Sequence, residues 1–463
     1  MPEKTAIIIM AAGAGTRFKS KRSKLLHNVA GKPVIKYLSD MMLKLRPEQT
    51  IFVLSHQKEE VIKAIGEDKS FSFVEQKVLD GTAGAVRVAM SELKSDITRV
   101  VVLPGDTPTI PEILVRELAV HVAPVVLVGT EVPDPKGFGR IKLDEDNNVM
   151  EIIEETDIKG MDRNIKLVNA SIYSFNRKFL EKSLSAITKN ANKNEFYLTD
   201  IIKIARNSGL EIRCINHKDQ SEVLGANDRF HLAKLGVKVW LERVKEHSEN
   251  GVSFMSPDRV YLDEKVIIGK DTEIYPDVLI MGNTIIDEDV TILEGCRISN
   301  SKISKGSIIG PYVIIDESEI GEDNKVGPFS YVRPGTKTNK KVKIGGFVET
   351  KKAIVDEGSK IPHLSYIGDA VIGKNVNIGC GVITCNYDGF NKHRTDIGNN
   401  VFVGSDSQLI APVKLNDDSY VAAGTTVTNE VPKGALAISR GKQRNIEGYA
   451  YKIKDKKSKK EAK

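Results

Sequence analysis

The sequence predicts two folds in one chain: an α/β domain with a mainly parallel sheet, then a left-handed parallel β-helix of hexapeptide repeats. Three observations carry this expectation. Ile268, Ile274, Ile280, Ile286, Ile292 and Ile298 recur at a six-residue step. Ile397, Val403, Leu409, Leu415, Val421 and Val427 keep the same step, with Gly, Asn, Asp, Lys and Ser between the anchors. Helices space apolar residues by three and four and half-buried strands by two, so this period fits neither. It fits a coil of short strands and turns whose anchors point inward. Before residue 230, nearly continuous apolar runs alternate with amphipathic stretches, as in a Rossmann-like, doubly wound sheet.

In chain order, Ala6–Met10, Ile51–Leu54, Val100–Leu103 and Val125–Val128 are the predicted strands, and Val34–Lys44 and Val86–Leu93 suit covering helices. Phe230, Leu232, Leu235, Val239, Trp240 and Val244 have helical spacing and predict a connecting helix ending near Asn250-Gly251. The repeats run from about 252 to 437. They slip by one residue at Ile298–Ile303, Ile315–Ile320 and Ile367–Ile372, and stretches 335–343 and 386–396 interrupt them. The expected organisation is a first domain over 1–229, a linker helix over 230–251, the β-helix domain over 252–451, and a disordered lysine-rich tail over 452–463.

Bulk properties narrow the function. A chain of 463 residues exceeds one ordinary core. No apolar run approaches the roughly 18 to 20 residues of a membrane span, and Ala6–Ala14 reads as a buried strand rather than a secretory signal. The formal net charge is +6, but seven Lys against Asp455 and Glu461 place +5 of it in 452–463, leaving +1 on the rest. A nearly neutral body argues against a nucleic-acid partner. Four cysteines in no metal-ligand spacing suggest a reduced, cytoplasmic protein.

The run Met10-Ala11-Ala12-Gly13-Ala14-Gly15-Thr16-Arg17 follows the first strand directly. Glycines there let backbone amides approach a phosphate. It is neither a P-loop nor a dinucleotide fingerprint, and a purely structural turn is the competing reading. Arg17 and Lys24 follow closely enough to neutralise a polyphosphate. Gly105-Asp106 puts a carboxylate at the carboxyl end of a buried strand, where ligands of open α/β sheets gather. Asp106 suits Mg²⁺, a hard cation with phosphate partners, although Asp is also a common turn former.

These residues, with Gln76 and Asp80-Gly81-Thr82, resemble the sugar-nucleotidyltransferase family, which joins a sugar 1-phosphate to a nucleoside triphosphate and releases pyrophosphate. Met10 stands where that family usually has Leu, and Ser23 where Pro often precedes the lysine. Hexapeptide β-helices in turn resemble a large family of acyl- and acetyltransferases. Here Arg333, Glu349-Thr350-Lys351, His363-Leu364-Ser365-Tyr366, Asn377 and Cys385-Asn386-Tyr387-Asp388-Gly389 stand out among the repeats. An imidazole with an ordinary pKa near 6.5 can take a proton from an amine at neutral pH, and Arg333 and Lys351 suit a phosphate.

Over essentially the whole chain apart from the tail, the two halves resemble the bifunctional N-acetylglucosamine-1-phosphate uridylyltransferase and glucosamine-1-phosphate N-acetyltransferase family. That resemblance implies UTP and acetyl-CoA as co-substrates, Mg²⁺, and a homotrimer with the acetyl pocket between subunits. It implies uridine nucleotide on Met10, Ala11, Ala12, Gly13, Gln76, Gly81, Thr82 and Gly105, and sugar on Gly139, Glu154 and Asn169. Asp106 and Asn227 would hold Mg²⁺, and Arg17 and Lys24 would stabilise phosphate charge. In the β-helix it implies His363 as general base, acceptor binding by Arg333, Lys351, Tyr366, Asn377 and Asn386, and coenzyme contacts from Cys380, Asn386, Tyr387, Ser405, Ala423 and Arg440. The family often has Ala where Cys380 stands. A nucleotidyltransferase for another sugar, with the β-helix as mere scaffold, is the rival reading, and the cluster around His363 weighs against it.

Overall fold

The computed structural model describes residues 4–13, 15–190 and 194–461; Ala14, at the end of the first apolar run, lies outside them. The chain separates into two compact units, Met1–Arg243 and Val244–Lys463.

In the first unit, strands β1 (Thr5–Met10), β2 (Gln49–Leu54), β3 (Phe71–Glu75), β4 (Arg99–Pro104), β5 (Val125–Glu131), β6 (Leu167–Asn176) and β7 (Ile212–Asn216) stand in the order β7-β5-β6-β4-β1-β2-β3. Pairing is parallel except for β6, which runs antiparallel to both its neighbours. Alternate residues of β1 feed opposite faces: Ile7 and Ile9 join one core cluster, Ala6 and Ile8 the other. That two-sided burial is why the strand reads as an unbroken apolar run. Each fully buried Ile contributes roughly 1.5–3 kcal/mol of transfer free energy.

Helix α1 (Val34–Leu45) buries Ile35, Leu38, Met41, Met42 and Leu45 against this sheet. Helix α2 spans Thr82–Met90, starting earlier than the apolar pattern at Val86–Leu93 suggests. Small residues account for the shift. Ala83, Gly84 and Ala85 are buried, and a Cβ on Gly84 would stand 1.7 Å from Asp80 Oδ1. Helix α3 covers Arg229–Glu249, with Gly251 at φ 94° just beyond it. Val239 packs with Val29, Ala30 and Val34, whereas Val244 belongs to the core of the second unit. The boundary between units thus falls inside the predicted connecting helix.

The second unit is built mainly, among the described residues, from three parallel sheets of 11, 10 and 9 very short strands. They form the faces of a three-sided coil, here called first, second and third in the order the chain visits them from Ser253–Phe254. On the third face, Ile268 pairs with Ile286, Ile286 with Ile303, Ile303 with Ile320, and Val355 with Ile372. This inward column is the periodicity of the sequence seen in cross-section. The five-residue steps all fall on the edge between the second and third faces, where Asn300, Glu317, Lys352 and Asp369 turn the chain at φ 41–47°.

Two expectations change. The stretch 335–343 does not interrupt the coil: Lys337–Thr338 is a strand, and buried Thr338 fills the anchor position. Its hydroxyl accepts from Gly321 N (3.0 Å) and Asn324 Nδ2 (2.5 Å), so a polar side chain can stand in for an aliphatic one. The segment read as a disordered tail is helical over Tyr449–Glu461 (α4). It holds neither Gly nor Pro and is rich in Lys, a good helix former. The second expected interruption is present, as the loop between strands Ile383–Cys385 and Thr395–Ile397.

Candidate active sites

In the first unit the glycine-rich turn leaves the carboxyl end of β1. Gly15 adopts φ 61°, and a Cβ there would stand 3.3 Å from Lys24 Cγ, so Lys24 lies across the turn. The next loop on that sheet edge, after β4, carries Asp106. Gly105 donates to Met10 O (2.8 Å), and a Cβ on it would meet that oxygen at 2.9 Å, which locks the two loops together.

Two adjoining cavities open on this edge. One, of about 380 Å³, is lined by Met10, Ala12, Gly13, Lys24, Gln76, Gly81, Thr82 and Asp106, among others. The other, of about 220 Å³, is lined by Arg17, Asp106, Gly139, Glu154, Asn169 and Asn227, among others. The residues expected to hold nucleotide and those expected to hold sugar thus separate into neighbouring cavities, with Asp106 in the wall of both. Ala11 and Gly105 line neither.

Polar contacts fix the walls. Gln76 donates to Asp80 Oδ1 (3.0 Å) and Gly81 O (3.1 Å). Thr199 donates to Glu154 Oε1 (2.8 Å), and Asn169 donates to the hydroxyl of buried Tyr173 (2.6 Å). Lys24 Nζ pairs with Asp106 Oδ2, and Arg17 donates to Asn227 Oδ1 (2.8 Å). Burial, then Arg229 and Arg22, hold His27 below the ordinary imidazole value, marking positive potential near the turn.

In the second unit the expected residues gather along two edges. The edge between the first and second faces carries His363, at the exposed end of strand Lys360–His363. Its rung is tightly stacked: a Cβ on Gly345 would stand 1.9 Å from Pro362 O. Ser365 Oγ links His363 O (2.7 Å) to Gly379 O (3.2 Å) on the next rung, beside Cys380. A Cβ on Gly379 would meet Ser405 N, one on Gly404 would meet Ala423 N, both at 2.5 Å, and Arg440 donates to Ala423 O (3.1 Å). His363, Cys380, Ser405, Ala423 and Arg440 therefore follow one edge, rung after rung. Tyr312, Phe329 and Phe347 stack with ring centroids 5.3 Å apart along the same edge, in the direction of the earlier coils.

Arg333, Lys351 and Asn386 lie at the next edge. Arg333 donates to Glu349 (2.7 Å), and Asn386 to Asp369 Oδ2 (2.5 Å). Tyr366 spans the face between the two edges, since a Cβ on Gly368 would meet both its hydroxyl (2.5 Å) and Asn386 Nδ2 (2.7 Å). Lys392, on the loop after Asn386 and not singled out in the sequence, interacts directly with Lys351. The like-charged Lys392 ammonium, then burial and Arg333, hold the Lys351 ammonium below the ordinary lysine value. Nothing in the spacing of Lys392 distinguishes it from other lysines. Exposed Tyr387 donates to Gly389 O (2.6 Å) in that loop. Asn377 stands apart on the first face, in register with Lys360 and Phe402.

A cleft at the carboxyl edge of a nucleotide-type sheet, joined in one chain to a hexapeptide coil, defines a nucleotidyltransferase with an appended transferase unit. Family models agree. Residues 6–241 match the nucleotidyl transferase family, 262–338 the GMPPB C-terminal domain, and 394–429 six bacterial transferase hexapeptide repeats. The "Bifunctional protein GlmU" of Acetivibrio thermocellus is 41% identical over 449 residues, spanning 96% of this chain and 97% of that one. Proteins of the same name from Caldanaerobacter subterraneus and a Geobacillus strain are each 41% identical, over 96% and 97% of this chain and 98% of each of theirs. The chain belongs to the bifunctional GlmU family. It is an enzyme with both activities, acetylating glucosamine 1-phosphate and then uridylylating the product to UDP-N-acetylglucosamine.

Proposed function

We propose that the two reactions run at the two sites described, each in its own unit. In the first unit, UTP lies in the larger cavity, along the glycine-rich turn with Gln76, Gly81 and Thr82. N-acetylglucosamine 1-phosphate occupies the smaller one, against Gly139, Glu154 and Asn169. An anionic oxygen of the sugar phosphate attacks the α-phosphorus, and the bond to the β-phosphate breaks with its electron pair leaving on pyrophosphate. The attacking oxygen carries no proton, so no general base is required. Arg17 and Lys24 supply fixed positive charge as negative charge builds on the phosphates. The observation that carries this reading is the common wall of the two cavities at Asp106, beside Lys24 and Arg17.

A divalent cation fits this wall. Among the described residues no cluster of three or more His, Cys, Asp or Glu forms a complete metal site. Asp106 and Asn227 nevertheless present hard oxygens to one cavity, each engaged by a cationic side chain. Two protein oxygens plus substrate phosphates is the usual holding of Mg²⁺. Bound there, it would polarise the phosphates and neutralise charge.

In the second unit, His363 takes the proton from the glucosamine nitrogen as that nitrogen attacks the thioester carbon of acetyl-CoA; the C–S bond breaks with its electron pair on sulfur, and the imidazolium returns the proton so that coenzyme A leaves as the thiol. Arg333 and Lys351 hold the sugar phosphate, and the coenzyme follows the edge of Cys380, Ser405, Ala423 and Arg440. Outward directions on two faces of a three-sided coil diverge. Asn377 on one face and Arg333 and Lys351 beyond the next edge cannot meet around one small sugar in a single copy. A closed ring of three copies in the cytoplasm brings one copy's edge to another's face. No helix among the described residues is long and apolar enough to cross a membrane.

Paired assays on the full chain test this reading. Arg17→Ala is expected to lower UTP-dependent pyrophosphate release by about 10²–10³-fold and leave coenzyme A thiol release near wild type. His363→Ala is expected to do the reverse, by about 10²–10⁴-fold. Loss of both activities from either single change in folded protein would refute separate sites.

A further inference from the structure

Besides Asp106, among the described residues only Pro104 and Ser171 line both of the adjoining cavities at the carboxyl edge of the first sheet. Under the reading above, on which this inference rests, the new bond forms where those cavities meet. Pro104 offers no side-chain donor and Asp106 faces a cation, so Ser171 is the one hydroxyl at the junction. Its backbone is unusual: φ is 59°, a left-handed conformation that a non-glycine residue adopts at an energetic cost.

The surroundings hold it there. Strand β6 changes register between Asn169 and Tyr173, a bulge that re-aims the side chains within it. Ser171 N donates to Asn169 Oδ1 (3.1 Å), while the same amide group donates to the hydroxyl of Tyr173, which is 2% exposed. A buried phenol thus fixes an asparagine, and the asparagine fixes the serine backbone.

We infer that Ser171 contacts substrate in uridylyl transfer, its hydroxyl donating a hydrogen bond to a phosphate oxygen where the sugar phosphate meets the α-phosphate. The hydroxyl keeps its proton throughout. It stabilises the charge that gathers on the phosphate oxygens as the new P–O bond forms and pyrophosphate departs. Tyr173 is the positioning residue behind it, acting through Asn169.

Two substitutions separate the hydroxyl from the strain. Ser171→Ala removes the hydroxyl and keeps the strained backbone. Ser171→Gly removes the hydroxyl and relieves the strain, which should raise Tm by about 2 °C. Both variants are expected to lower kcat for uridylyl transfer by about tenfold, the loss of one hydrogen bond to a charged group. Acetyl transfer, measured on the same full-length preparations, should stay at the wild-type rate and report that the chain is folded. Wild-type uridylyl transfer in either variant overturns the inference. So does a defect in Ser171→Ala that Ser171→Gly restores, because the backbone rather than the hydroxyl would then be at fault. Absence of pyrophosphate release from UTP and N-acetylglucosamine 1-phosphate by the unmodified enzyme would instead sink the functional reading beneath it.

Discussion

The two units reach a binding site by opposite routes. In the α/β unit, loops leaving the carboxyl edge of one sheet rise around a hollow, so a single copy encloses cavities of about 380 and 220 Å³. The hexapeptide unit is a filled coil. Its interior is filled by a column of aliphatic anchors, and every polar group of interest stands on an outer edge or face. A doubly wound sheet generates concavity at its own carboxyl edge, whereas under the proposed reading the coil completes its acetyl site with a second copy.

The widest effect expected from this contrast is intersubunit rescue. Full-length His363→Ala and Lys351→Ala chains should each be inactive in acetyl transfer. Mixed by co-refolding or co-expression, they should regain activity at about a quarter of the interfaces, those pairing an intact imidazole with an intact lysine. Coenzyme A release reads the result. No recovery in mixed assemblies whose composition is verified by native mass spectrometry would place both groups in one chain's site. Uridylyl transfer should remain constant throughout, since that site closes within a single copy.

A smaller effect concerns pH. Lys392 beside Lys351 lowers the pKa of the Lys351 ammonium. The folded state therefore binds this proton less tightly than the unfolded chain does. The pair detracts from stability at neutral pH, and the deficit fades as pH rises through the lowered value. A phosphate between the two cations relieves the repulsion. KM for glucosamine 1-phosphate should climb with rising pH on the acid side of the range where an ordinary lysine, near 10.4, would lose its charge. Lys351→Arg, which keeps its charge, should flatten that rise. An identical alkaline profile for both proteins would remove Lys351 from phosphate binding.

The smallest effect belongs to the scaffold. Thr338→Val restores an aliphatic anchor but strips partners from Gly321 N and Asn324. Buried donors left unpaired outweigh the added methyl, so Tm should fall by about 2–6 °C. An unchanged or higher Tm would mean the coil accepts the apolar residue and that the hydroxyl is incidental.

What the sequence made legible follows from which forces act locally. Aliphatic periodicity is a direct image of burial, and it gave the inward anchors of the coil and the four apolar strands of the first sheet, but not Phe71–Glu75, Leu167–Asn176 or Ile212–Asn216. Thr338 escaped that pattern because its burial is balanced by hydrogen bonds to rungs before it, which spacing alone does not reveal. Helix α2 was misplaced because its first turn is built from Ala and Gly chosen for close approach rather than hydrophobicity. In the clefts of the first unit, Arg17 and Lys24 announced themselves by following the glycine-rich turn, and Asp106 by lying just beyond a strand. Asn227 did not: more than two hundred residues separate it from Arg17, whose guanidinium it accepts, and only family resemblance named it. Lys392 was invisible for a simpler reason, because one lysine among many acquires meaning only when another is found against it. Ser171 was missed too, since nothing in its neighbours' identities signals a left-handed serine in a bulged strand.

Helix α3 ends as a stopper. Its residue Val244 is sealed among the first anchors of the coil, Val252, Val260 and Leu262, while Val239, little more than a turn earlier, is buried with Val29, Ala30 and Val34 of the other unit. Anyone excising the acetyltransferase as a separate fragment should therefore cut upstream of Val244, at the first turns of the helix. A fragment begun at Gly251 would leave the mouth of the aliphatic column open to water, an invitation to end-to-end stacking of one solenoid upon another.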